Sequence, residues 1–206
     1  MQELLIATNN PGKVVELQAL LENLDIKLVT PAEIEVDLEV EENGATYAEN
    51  AALKAITFGR ASGLLTLADD SGLEVEALDG QPGLHSRRFS PLPGATDADR
   101  RQYLLAKLSG KPRPWIARFR CSIAILEPEQ AHLPMPYIYY AHGTCPGEII
   151  PEERGENGFG YDPIFLLAEL DKTMAELSMA EKNRLSHRAR AIMNSIPILE
   201  KIFQAY

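Results

Sequence analysis

Leu4-Leu5-Ile6-Ala7-Thr8-Asn9-Asn10-Pro11-Gly12-Lys13 decides the fold class. The apolar start reads as a short buried strand, and the polar run behind it as a turn. Val14, Leu17, Leu20, Leu21 and Leu24 then recur at helical spacing. Strand, turn and helix in immediate succession indicate an α/β fold. The turn is also the first candidate binding element. Free N–H groups at a helix N-terminus attract phosphate, Gly12 permits close approach and Lys13 adds a charge. It is not a Walker loop, because G-x-x-x-x-G-K-[ST] is absent. An ordinary strand-to-helix turn uses the same Asn, Pro and Gly, so both readings stand here.

Downstream, Glu33, Glu35, Asp37, Glu39 and Glu41 alternate with Ile34, Val36, Leu38 and Val40. This predicts a half-buried strand with an acidic outer face. Thr46-Tyr47-Ala48-Glu49 predicts a capping box opening an alanine-rich helix that ends near Gly63. Residues 64–68 read as a buried strand ending in Asp69-Asp70-Ser71-Gly72, and Leu73, Val75 and Ala77 alternate beyond it. Residues 81–95, rich in proline and glycine, predict a loop, and Thr96 with Asp99 caps a helix to about Leu108. A long strand is expected over 115–126, a proline-bearing link after it and another strand over 137–141. A glycine-rich loop, 155–160, runs into Tyr161-Asp162-Pro163-Ile164-Phe165. Ser178-Met179-Ala180-Glu181 opens a helix expected to run to about Asn194, with Pro197 starting a last short one. The pattern implies a single domain over residues 1–206, with two intimate lobes around a long mixed β-sheet with flanking helices. The expected active site is the cleft between the lobes.

Composition narrows the function. With 45% apolar and 24% charged residues in a chain of 206, a packed soluble core needs no staples. A net charge of −10 argues against binding a nucleic acid polymer through counterion release. It leaves a small anionic ligand open, since a pocket can concentrate cations or recruit a metal. No apolar stretch is long enough to span a bilayer, so no membrane association is expected. The acidic start and the short apolar run at Leu4 do not resemble a secretory signal, and a cytoplasmic protein is expected. Cys121 and Cys145 form no C-x-x-C pair, which leaves them as small buried hydrophobes.

Adjacent carboxylates at a buried strand end repel unless cations or donors compensate, which makes Asp69-Asp70 a candidate metal or acid–base site. A turn would explain Asp, Ser and Gly equally well. Magnesium takes one or two carboxylates plus substrate phosphate and water, and Glu41-Glu42 offers further oxygens. Asn50 and Lys54, spaced i, i+4, share a helix face that either lines the same cleft or, in the ordinary reading, is solvated. Lys182, Arg184, His187, Arg188 and Arg190 crowd the helix after Ser178, either as a solvated basic face or as an anion clamp.

Four segments together carry a resemblance. They are residues 8–13, Ala68-Asp69-Asp70-Ser71-Gly72-Leu73, Gly158-Phe159-Gly160-Tyr161-Asp162-Pro163-Ile164-Phe165, and Glu181-Lys182-Asn183 with Ser186-His187-Arg188. In that order they resemble the inosine triphosphate pyrophosphatase family, the XTP/dITP diphosphatases that remove deaminated purine nucleotides. The resemblance implies a homodimer and magnesium-dependent hydrolysis of ITP, dITP or XTP to the monophosphate and pyrophosphate. It implies that Thr8, Asn9, Asn10, Pro11, Gly12 and Lys13 bind the triphosphate. Asp70 would be general base and metal ligand, with Ser71 beside it on the substrate and Glu41 the second metal carboxylate. Phe159, Gly160, Tyr161, Asp162, Lys182, His187 and Arg188 would hold base and sugar. One loop departs: Pro82-Gly83-Leu84-His85-Ser86-Arg87-Arg88 carries His85 where the family has an aromatic and Arg87 where it has a small residue, while Arg88 keeps its charge.

Overall fold

The computed structural model describes residues 2–205. Its strands are β1 (Glu3–Ile6), β2 (Lys27–Val29), β3 (Leu65–Val75), β4 (Trp115–Leu126), β5 (Tyr139–Ile149), β6 (Phe165–Leu167) and β7 (Lys172–Thr173). Its helices are α1 (Pro11–Leu21), α2 (Tyr47–Ser62), α3 (Asp97–Leu108), α4 (Met179–Leu185) and α5 (His187–Ala205). The strands form one sheet in the order β2-β1-β3-β4-β5-β6-β7. β1 is parallel to β2 and β3, whereas β6 is antiparallel to β5 and β7, so the sheet is mixed. No helix among the described residues is long and apolar enough to cross a membrane.

The chain divides into two compact units. One contains Met1–Asp70, Cys121–Gly143 and Arg188–Tyr206; the other contains Ser71–Arg120 and Thr144–His187. In the first unit, alternation along β3 sorts side chains to opposite faces. Leu65 and Leu67 pack with Leu17 and Leu21 of α1 and Ala191, Ile192 and Leu199 of α5. Ala68 packs instead with Ala51, Ala55 and Phe58 of α2. α2 starts where Thr46 accepts the Glu49 N–H, and Gly63 ends it in the left-handed conformation. Glu49 reaches back to the Ala45 N–H, one residue earlier than a standard capping box. The core of the second unit joins Leu73 and Val75 to Leu104 and Leu108 of α3 and to Phe119 and Phe165, whose rings lie 4.5 Å apart. Cys121 and Cys145 are free and buried.

Four sequence expectations are corrected. Residues 33–41 are not a strand: a 3₁₀ turn, Ala32–Ile34, is followed by backbone without a ladder partner. The side chains still alternate, because Ile34, Val36, Leu38 and Val40 rest against the core of α2 while Glu33, Glu35, Asp37, Glu39 and Glu41 are exposed. Apolar contact rewards an extended chain on a surface as readily as one in a sheet. Asp69-Asp70-Ser71-Gly72 is neither a turn nor a strand end, since β3 runs straight through it. The predicted helix over 178–194 breaks at Ser186, which takes an extended conformation between α4 and α5. Pro197 then lies inside α5 rather than at a helix start. It lacks one i→i−4 donor, opposite Met193, whose side chain is exposed.

Candidate active site

The turn between β1 and α1 is closed by its own side chains. Asn10 is the N-cap of α1, its Oδ1 accepting the N–H groups of Gly12 and Lys13 at 3.0 and 3.2 Å. Thr8 Oγ1 accepts the Asn10 N–H at 3.2 Å, and Asn9 donates from its side chain to the Leu38 carbonyl. The amides expected to be free at this helix start are therefore already paired with Asn10.

On β3, adjacent carboxylates face opposite ways. Asp69, fully buried, meets Lys13 Nζ at 2.9 Å and Arg188 Nε at 3.2 Å. The guanidinium of Arg188 pairs on its other side with Glu16 of α1, which is also buried. Burial alone would raise the Asp69 carboxyl; the charges of Lys13, Arg188 and Lys54 outweigh it and hold the group far below the usual carboxylate range. Cys121 adds a weak thiol contact at 3.9 Å, its own thiol pushed up to about 12 by burial.

Asp70 faces α2. Asn50 Nδ2 donates to its Oδ2 at 3.1 Å, and Lys54 Nζ lies 3.5 Å from its Oδ1. Lys54 also pairs with Glu42 at 2.7 Å. Here burial prevails over the Lys54 and Lys13 charges, so the Asp70 carboxyl is raised above its ordinary value. Burial works to lower the Lys54 ammonium, and the charges of Asp70, Asp69 and Glu42 together outweigh it. Asn50 and Lys54, expected on a solvated face, are thus buried beside Asp70. Glu41 is exposed, while Glu42 shares the inward parity of Ile34, Val36, Leu38 and Val40. That parity was visible in the sequence and is the signal that finds Glu42.

In the second unit, Ser71 is half-buried on β3. Asp162 accepts the Phe159 N–H at 3.0 Å and pairs with Lys182 Nζ at 2.7 Å, both side chains being buried. Lys182 Nζ also lies 5.1 Å from the centre of the Phe159 ring. Gly158 has φ +77°, and a Cβ there would lie 2.1 Å from Asp162 Oδ2. A side chain at position 158 would break the pair. Tyr161 is buried and donates from its hydroxyl to the Ser86 carbonyl at 2.8 Å. Ser86 Oγ accepts the Leu73 N–H at 2.9 Å, so the divergent loop is tied to β3 through the residue between His85 and Arg87. His187 is buried and stacks on Phe119 with centroids 4.7 Å apart. The expected basic stripe is thus divided. Lys182 and His187 belong to one unit and Arg188 to the other, all three are buried, and Arg184 and Arg190 are exposed.

One unit holds the raised Asp70 carboxyl beside the buried Lys54 ammonium; the other holds a glycine-aromatic loop on the Asp162–Lys182 pair. The Ham1 family profile matches residues 4–197. A dITP/XTP pyrophosphatase of Desulforamulus reducens is 45% identical over 202 residues, covering 98% of this chain and 97% of that protein. The solved structure of a HAM1 protein from Coxiella burnetii superposes with a TM-score of 0.86 at 41% identity, covering 98% of this chain and all of that one. The Staphylococcus aureus Ham1 structure gives 0.83 at 40% identity, covering 97% and 99%. The chain belongs to the Ham1 family.

Proposed function

We propose that this protein hydrolyses deaminated purine nucleoside triphosphates (dITP, ITP, XTP) to the monophosphate and pyrophosphate with Mg²⁺, clearing them from the nucleotide pool. Family membership and the names of the curated relatives support the reaction class. The observation that carries the mechanism is the raised, buried Asp70 carboxyl held by Asn50 and Lys54. A carboxylate whose proton affinity lies above the ordinary range is a better acceptor for a proton from water. Asn50 fixes its orientation. Lys13 and Lys54 are the cations nearest the two carboxylates, suited to offset charge that grows on a leaving pyrophosphate.

The donor set suits magnesium. Asp70 and Glu42 already share one cation, the Lys54 ammonium, and all their donors are hard oxygens. Magnesium takes one or two carboxylates, and substrate phosphate and water complete its shell. Asp70 with Glu41, as the resemblance implies, or with Glu42 would hold it. When bound, the ion supplies Lewis-acid polarisation of phosphoryl oxygen and a more acidic water. Residues 8–13 and Ser71 are the triphosphate side of this reading; Phe159 to Asp162, Lys182, His187 and Arg188 are its base and sugar side. A cytoplasmic homodimer belongs to the same reading and rests on the resemblance.

A donor facing the purine 6-oxo group would oppose the 6-amino group of adenine, and such a mismatch discriminates by roughly 10⁴-fold. The deciding experiment is pyrophosphate release across a nucleotide panel with Mg²⁺ and with EDTA. The expected result is turnover of ITP, dITP and XTP, little of ATP, and none after chelation. Comparable kcat/KM for ATP and ITP would refute the base preference, and full activity in EDTA would refute the metal.

A further inference from the structure

The loop from Gly158 to Asp162 is also held from α3, by residues outside every site motif. The start of α3 is capped by Thr96 and Asp99 alone: Thr96 Oγ1 accepts the Asp99 N–H at 3.2 Å, and Asp99 Oδ2 accepts the Thr96 N–H at 2.8 Å. The Asp97 carboxylate is therefore not needed for the cap. Its Oδ2 accepts the Gly160 N–H at 2.8 Å, and its Oδ1 pairs with Arg100. One turn further, Arg101 Nη1 donates to the Gly160 carbonyl at 2.9 Å. The rest of that guanidinium is fixed by a two-point pair with Glu153 at 2.9 and 2.8 Å. Both backbone polar groups of Gly160 are thus gripped by charged side chains of one helix, and charge-assisted bonds exceed neutral ones in strength. Gly160 has φ +63° and separates Phe159 from Tyr161. Fixing its backbone fixes the directions in which those two rings leave the chain.

We propose that Asp97 and Arg101 are positioning residues that hold the Phe159-Gly160-Tyr161 backbone in its nucleotide-binding conformation. The inference rests on the function proposed above. A loop freed from these side chains spends part of its time in other conformations, and apparent affinity falls by the competent fraction. The chemical step is spared, because Asp70, Asn50 and Lys54 are unchanged.

The test compares Asp97→Ala, Arg101→Ala, the double variant, Asp97→Asn and Asp99→Ala by steady-state ITP hydrolysis, by amide exchange of residues 158–161 and by thermal melting. Each single alanine variant is expected to raise KM about tenfold, with kcat changed less than about threefold. The double variant should raise it by less than the product of the two, because both side chains hold one glycine. Asp97→Asn keeps an acceptor for the Gly160 N–H and should recover most of the affinity. Asp99→Ala breaks the cap, so it lowers the melting midpoint and leaves KM unchanged. Exchange at residues 158–161 should quicken in the Asp97→Ala and Arg101→Ala proteins without any nucleotide. Wild-type turnover with unchanged KM in both alanine variants overturns the inference alone. A wild-type protein that releases no pyrophosphate from any nucleotide overturns the functional reading, and the inference with it.

Discussion

Asp69 and Asp70 are neighbours in one strand, both buried, yet their surroundings drive them apart. Asp69 faces α1 and α5, where Lys13 and Arg188 hold it ionised and Glu16 completes a chain of alternating charge. Asp70 faces α2, where one amide and one more distant ammonium do not overcome burial. Environments that separate two like groups in this way assign them different tasks. In the proposed function, Asp69 is the anchor that organises cations, and Asp70 is the group that exchanges a proton.

Replacing each group tests that division. Asp70→Asn should lower kcat on the order of 10²–10⁴-fold with folding intact. Near-normal turnover by that variant would remove Asp70 from the chemistry. Arg188→Met removes the cation that Asp69 and Glu16 share, leaving Asp69 with Lys13, and losing one partner of such a buried pair costs about 3–5 kcal/mol in stability, measurable by urea unfolding. An unfolding midpoint matching the wild type would show that the face toward α1 and α5 is no anchor.

Titration should separate the two carboxylates as well. The folded Asp70 pKa is raised, so its ionised form is lost as pH falls through a value above the ordinary 3.8. Titration of the Asp70 carboxyl in the metal-free protein, followed by NMR, should therefore give a midpoint above that value. Asp70 contributes stability when protonated, and that contribution is lost as pH rises through its folded pKa. Asp69 is depressed, so its contribution is present above 3.8 and is lost only as pH falls well below it. A metal-free Asp70 midpoint at or below 3.8 would show that the Asn50 and Lys54 contacts outweigh its burial. The smallest effect is expected at the support of the Asp70 face. Thr46→Ala removes the side-chain cap of α2, the helix carrying Asn50 and Lys54, and should cost about 1 kcal/mol in chemical denaturation with little change in KM.

What the sequence revealed depends on how local each signal was. The strand, turn and helix of the first unit and the cap of α3 are set by adjacent residues, and they were legible. Asp69-Asp70-Ser71-Gly72 reads locally as a turn, but Lys13, Arg188, Asn50 and Lys54 come from distant segments and stabilise it as strand. Residues 33–41 show the converse: the alternation was real, but it reports contact with an apolar surface, and the partner strand had to be known separately. Asn50 and Lys54 lie within the stripe of Tyr47, Ala51, Ala55 and Phe58, yet polar side chains there read as solvated until the carboxylate they serve is seen. The break at Ser186 is concealed by good helix formers on both sides. Lys182 answers to Asp162 and Arg188 to Asp69, so the residues on either side of the break serve different partners, which periodicity does not register.

Asn10 has one more consequence. Since its side chain already occupies the Gly12 and Lys13 amides, any anion arriving at that turn competes with an acceptor tethered two and three residues away, at high effective concentration. Single weak anions, inorganic phosphate among them, gain little by displacing it. A ligand that engages several groups at once can. In the proposed function, the turn works as a threshold that favours a polyphosphate over a monophosphate.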